Sequence, residues 1–226
     1  MTSENQAANL RTGLTKKMPH QKYRAFEPIT LPDRQWPDNR IIEAPRWCSV
    51  DLRDGNQALV EPMNPVEKQK MWDLLVEIGF KEIEVGFPAA SQTDFDFVRK
   101  IIEEDLIPDD LTIQVLCQAR KELIERTCEA VSGASNVIFH LYNSTSTLQR
   151  KVVFDMNQAE VIKLATDATE LVKENTKKLR DEGTRVILEY SPESYTATEM
   201  DFAIEICSEV LNEWDASENE KIILNL

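Results

Sequence analysis

The 226-residue sequence has no stretch approaching the roughly 18 consecutive apolar residues that a membrane-spanning helix needs. It has no G-x-G-x-x-G or G-x-x-x-x-G-K loop, which removes the usual cradle for a dinucleotide or a nucleotide triphosphate. Basic residues are outnumbered, 26 Lys and Arg against 40 Asp and Glu, and the formal net charge of −14 disfavours nucleic acid or an anionic membrane as partner. Cys48, Cys117, Cys128 and Cys207 are too widely spaced for a metal-ligand pattern or a disulfide framework, so they read as buried reduced thiols. The segment from Met1 to Lys17 lacks the apolar core of a secretory signal and the arginine richness of a transit peptide. A soluble cytoplasmic protein is the expectation.

What is present is a rhythm. Residues 1–44 are rich in Pro, Gln, Asn and charge, and read as an arm lying on a domain surface, disordered at its start. From residue 45 onward short apolar runs alternate with longer amphipathic segments, the signature of repeated βα units and a parallel sheet. The spacing predicts strands at Trp47–Leu52, Glu82–Phe87, Thr112–Leu116, Asn136–Leu141, Arg185–Tyr190 and Lys221–Leu226. The intervening helices are predicted at Gln92–Glu104, Arg120–Val131, Gln158–Glu182 and Thr198–Trp214, preceded by one that Asn64 caps, Pro65 opens and Gly79 ends. That first helix places Met71, Leu74, Leu75 and Ile78 on one face.

About six strands and five helices point to an α/β fold of the (β/α)8 TIM-barrel type, cut short after its sixth strand. A complete six-stranded doubly wound sheet is the structural alternative. In a barrel the chemistry sits where strands end, and here polar residues collect at those positions. They include Arg53, Asp54 and Gln57 after the first strand and Glu84 within the second. Further on come His140 and Tyr142 on the fourth, Ser191 and Glu193 after the fifth, and Asn225 on the sixth. Alternation sets Glu84 on the face opposite Ile83, Val85 and Phe87, and a buried carboxylate needs a partner such as Arg53 or a metal.

At these residues the chain resembles the 2-isopropylmalate synthases. The matching segments run from Ala44 to Gln57, from Glu82 to Ser91, from Phe139 to Ser146 and from Glu189 to Glu193, and the resemblance extends from about Pro19 to the last residue. It is closest to the longer actinobacterial and fungal-type branch. The Arg-Asp-Gly-x-Gln element alone is shared with homocitrate and citramalate synthases and with hydroxymethylglutaryl-CoA lyases.

The resemblance implies condensation of acetyl-CoA with 2-oxoisovalerate to 2-isopropylmalate, the start of leucine biosynthesis, in a homodimer that leucine inhibits only in its full-length form. It implies that Asp54 ligates a divalent metal, Mg²⁺, Mn²⁺ or Zn²⁺, that polarises the oxo-acid carbonyl. Arg53 would stabilise the developing alkoxide, with Glu84 holding it in place. His140, Tyr142, Ser191, Gln57 and Asn225 would bind the oxo acid, Leu116 would touch its branched alkyl group, and Glu193 would take part in deprotonating the acetyl methyl. One departure stands against the match. The family draws its other metal ligands from a His-x-His pair after a later strand, whereas this sequence has only His20 and His140. The expectation is therefore an incomplete, inactive portion of such an enzyme. The alternatives are a catalytically dead half-barrel serving as an interaction partner, or a sibling synthase of homocitrate or citramalate type.

Overall fold

The structure, a computed structural model, describes Asp33 and residues 44–226; the expected arm and His20 lie outside the described residues. Residues 47–226 form one compact unit. Its six strands are β1 (Cys48–Ser49), β2 (Glu82–Gly86), β3 (Thr112–Gln118), β4 (Asn136–Ser144), β5 (Arg185–Glu193) and β6 (Ile223–Leu224). All neighbouring strands pair in parallel, in the order β1-β2-β3-β4-β5-β6. This strictly sequential order never reverses, as a doubly wound sheet does at its switch point, and it is the strand order of a TIM barrel.

The connecting helices are α1 (Pro65–Ile78), α2 (Gln92–Glu103), α3 (Lys121–Val131), α4 (Gln158–Asp181) and α5 (Met200–Glu213). Local chemistry fixes their ends. Asn64 accepts from the Val66 and Glu67 amides while Glu67 reaches back to the Asn64 amide, a reciprocal cap on α1. Asn157 and Glu160 do the same for α4. Gly79 closes α1 in the left-handed region, φ 101°, where a side chain would be strained.

Apolar side chains between strands and helices form two clusters. One gathers Leu52, Trp72, Ile83, Val85, Val98, Ile101, Ile113 and Val115 around β2, β3, α1 and α2. The other gathers Phe139, Leu141, Val172, Leu188, Tyr190, Phe202 and Ile206 around β4, β5, α4 and α5. The opposite face of the strands carries Glu84, Gln114, His140 and Glu189, all buried.

Four details differ from the sequence reading. The first strand is two residues long, because the chain turns at once into a π-helical turn, Asp51–Gly55, closed by the Gly55 amide on the Val50 carbonyl at 3.1 Å. Helix α1 buries Lys68, Trp72 and Leu75, while Leu74 and Ile78 are 46% and 57% exposed. Apolar spacing misplaced that face because a lysine with a buried ion partner occupies it. Residues 147–154, assigned to no helix or strand from the sequence, form a short helix, Thr147–Gln149, that runs into a π-helical turn, Arg150–Phe154. Finally, β2 carries a bulge: Glu84 pairs with Gln114 but Gly86 with Val115, so Val85 is the extra residue. The bulge breaks the period of two and brings Phe87 to the same side as Glu84.

Candidate active site

Side chains at or just after the C-terminal ends of all six strands meet around a pocket of about 420 Å³. Arg53, Asp54 and Gln57 come from the π-helical turn and the residues just after it, and Phe87 follows the bulge in β2. Leu116 lies on β3, His140 and Tyr142 on β4. Ser191, Pro192 and Glu193 close β5, Ser194 and Tyr195 follow, and Asn225 and Leu226 extend β6. Nine of the ten residues singled out from the sequence therefore line one cavity. The tenth, Glu84, lies fully buried against two of them.

Glu84 is the hub. Its Oε2 accepts from Arg53 Nε at 2.5 Å and its Oε1 from His140 Nδ1 at 2.7 Å. Gln114 Nε2 donates to the same Oε1 at 3.1 Å. Burial works against a charged Glu84, but the bond to His140 and the charges of His140 and Arg53 outweigh it and hold the carboxyl below its ordinary range. An ionised Glu84 accepts only, so the His140 nitrogen facing it carries a proton. The second ring nitrogen, Nε2, lies 2.8 Å from Ser191 Oγ and 3.4 Å from Glu189 Oε1. Ser191 Oγ also accepts from Asn225 Nδ2 at 2.9 Å, which links β4, β5 and β6 at the pocket floor.

Arg53 reaches the other way as well, with Nη1 2.9 Å from Asp54 Oδ1. Two carboxylates thus fix the guanidinium plane of Arg53, which lines the cavity. Tyr142 packs edge-on against Phe87, ring centroids 6.3 Å apart. Burial, with the nearby Glu193, pushes the Tyr142 hydroxyl above its usual range. Glu193 Oε2 accepts from the Ser144 hydroxyl.

Sequence reasoning missed two members. Gln114 sits in mid-strand where nothing but its polarity marks it, and it bridges Cys48 Sγ, Glu84 and Glu189. Glu189 pairs laterally with His140 across β4 and β5. Burial pushes its carboxyl up, opposed by His140. Its place two residues before Ser191, hence on the same strand face, was the available signal.

A matching family model covers residues 44–218 and describes HMGL-like proteins. The chain belongs to the HMGL-like family. Enzymes of this family generally depend on a divalent metal ion. Among curated relatives, it is 57% identical over 209 residues to a 2-isopropylmalate synthase of Parafrankia sp., a match over 92% of this chain and 37% of that protein. It is 59% identical over 213 residues to the 2-isopropylmalate synthase of Corynebacterium efficiens, over 92% and 36%. The chain thus spans a little over a third of the length of these relatives. Among solved structures, an HMG-CoA lyase of Bacillus subtilis superposes with a TM-score of 0.51 at 18% identity, over 75% of this chain and 55% of that one. An HMG-CoA lyase of Acinetobacter baumannii, in complex with coenzyme A and 3-methylmalate, gives 0.51 at 16%, over 74% and 52%. These two establish the fold, that of the HMG-CoA lyase TIM barrel.

The metal fits less well than the fold. Asp54, the sequence's ligand candidate, is 63% exposed at its side chain and already paired with Arg53. Among the described residues no group of three His, Cys, Asp or Glu side chains is arranged to hold an ion. His140 has both nitrogens engaged within the network. The described residues do not by themselves make a metal site. No helix of the described residues is long and apolar enough to cross a membrane.

Proposed function

We propose that this pocket is the oxo-acid site of a 2-isopropylmalate synthase, where acetyl-CoA condenses with 2-oxoisovalerate. The observation that carries the reading is the Arg53 guanidinium, held by Glu84 and Asp54, in a mainly polar cavity that also carries the apolar side chains of Leu116 and Phe87. Such a cavity suits a small anion with a branched alkyl tail.

In this reading Glu193 takes a proton from the acetyl methyl of acetyl-CoA. The enolate carbon attacks the keto carbon of 2-oxoisovalerate and forms the new carbon–carbon bond. The carbonyl oxygen becomes an alkoxide, which Arg53 stabilises as its charge develops and which then takes up a proton, balancing the one Glu193 removed, to become the product hydroxyl. Water then cleaves the thioester, releasing CoA and 2-isopropylmalate. His140, Ser191, Asn225 and Gln57 orient the oxo acid, and Glu84 orients Arg53 and His140 together. A divalent ion, Mg²⁺ with Mn²⁺ or Zn²⁺ as alternatives, would take Asp54 as one ligand and would polarise the oxo-acid carbonyl; the described residues supply no other ligands. Leucine inhibition of the full-length enzyme and a homodimer rest on the resemblance, and a cytoplasmic location on the sequence reading above.

Titration calorimetry with 2-oxoisovalerate in the presence of Mg²⁺ tests the site: saturable binding that Arg53→Ala abolishes is expected, and no binding by the wild-type chain would refute it. The single carboxylate at the metal position favours a second reading, an interaction partner without turnover. Saturable 2-oxoisovalerate binding separates the two, since no CoA release from acetyl-CoA and 2-oxoisovalerate is expected from residues 1–226 in either reading.

A further inference from the structure

Lys68 is the one buried lysine among the described residues, 1% exposed, and it lies outside the pocket. From α1 its ammonium reaches Asp94 Oδ1 at 2.7 Å in the first turn of α2, and the carbonyl of Leu52 at 3.3 Å. The other Asp94 oxygen, Oδ2, accepts from the Phe87 amide at 2.8 Å. The two side chains therefore form a link between two stretches of main chain. One end is the residue before Arg53, in the π-helical turn. The other is the residue after the β2 bulge. Gly86 makes room for the link, since a Cβ there would stand 2.7 Å from Asp94 Oδ2.

Stability alone does not account for such a pair. Replacing a buried ion pair by apolar groups of similar volume is often neutral or stabilising, because two charges must be stripped of water. The surroundings are suited to an apolar pair: Trp72 and Phe97 pack here, and Lys68 Nζ lies 5.6 Å from the Phe97 ring centre. Apolar groups could not hold the Leu52 carbonyl and the Phe87 amide at once. Both of those segments carry residues that line the pocket.

We propose that Lys68 and Asp94 are positioning residues, which set the distance between the turn bearing Arg53 and Asp54 and the strand end bearing Glu84 and Phe87. The pair touches no substrate. It acts through main chain, and it determines whether the Arg53 guanidinium meets Glu84 in register with the aromatic wall. The proposal rests on the reading of the pocket given above only for its consequence in binding, not for its geometry.

The test uses ¹⁵N-labelled full chain, wild type against Lys68→Met, Asp94→Ala and the conservative Asp94→Asn. Without ligand, the readouts are the Arg53 Nε–H resonance and the exchange rate of the Phe87 amide. Lys68→Met and Asp94→Ala are expected to melt cooperatively, to shift the Arg53 resonance and to speed Phe87 exchange. Asp94→Asn, which keeps an oxygen for the Phe87 amide, is expected to retain its protection. Affinity for 2-oxoisovalerate is expected to fall about tenfold in the first two, since small misplacements of a binding group are costly. Folded variants with wild-type Arg53 and Phe87 signals would overturn the proposal, and so would loss of fold in all three, which would assign the pair to stability. Absence of oxo-acid binding in the wild type refutes the functional reading instead, while the ligand-free signals still decide this one.

Discussion

Arg53 Nε and Glu84 Oε2 stand 2.5 Å apart across 31 positions of sequence, and their bond joins a π-helical turn to the middle of a buried strand. The other oxygen of Glu84, Oε1, holds His140 Nδ1 at 2.7 Å, so one carboxylate orients both side chains. The charge that faces the pocket is thus set by a carboxylate that never reaches it.

Arg53→Lys keeps the charge and loses the fork. A lysine cannot bond Glu84 and Asp54 in one plane, so binding of 2-oxoisovalerate is expected to weaken by about 10²-fold, in the range for removal of one oriented donor. Calorimetry on the folded variant measures it.

Glu84→Gln is expected to cost about 3 kcal/mol at pH 7, because it breaks a buried pair and leaves its partner charges in place. The pH dependence carries a sign. The folded-state pKa of Glu84 lies below its ordinary 4.5, so the carboxylate contributes stability above that value and loses it as pH falls through the lowered pKa. Melting temperatures between pH 7 and pH 3 should converge for wild type and variant on acidification.

Glu189→Gln should act in the opposite sense. Burial raises the Glu189 pKa, so the folded chain holds that proton more tightly than the unfolded chain. Its contribution is present below pH 4.5 and lost as pH rises through the raised value. The variant is therefore expected to gain melting temperature over wild type at pH 7 to 8 and to lose the advantage below pH 4.5. An unchanged difference across that range would contradict the burial argument.

The cysteines should be silent in the folded chain. Burial pushes Cys117 and Cys128 up to about 12, and Cys48, with Glu84 also near it, to the same value. Alkylation by iodoacetamide at pH 8 is expected to be slow before denaturation and rapid after, as mass spectrometry would show.

Much of this was legible in the sequence because strand ends are where polar residues have no structural excuse. His140 and Ser191 were marked by their places at strand ends, and the structure sets them 2.8 Å apart. The Asn64 cap was readable from its Asn-Pro-x-Glu spelling. What escaped depends on contacts between distant segments. The bulge at Val85 reverses Phe87, yet a period-two pattern has no mark for an inserted residue. Lys68 on the buried face of α1 looks like solvent until Asp94 is folded against it. Gln114 reads as an ordinary strand residue until two carboxylates converge on its amide.

The pairing lengths along the sheet have a consequence for motion. The pairing of β4 with β5 spans nine residues on each strand, Asn136–Ser144 against Arg185–Glu193, whereas β1 and β6 each contribute two. Amide exchange should therefore be slowest at His140 and Ser191 and fastest toward Arg53 and Asn225. The cavity is then built with one stiff wall and two that breathe, so a ligand that bridges Arg53 to Ser191 would tighten the margins of the sheet as it binds.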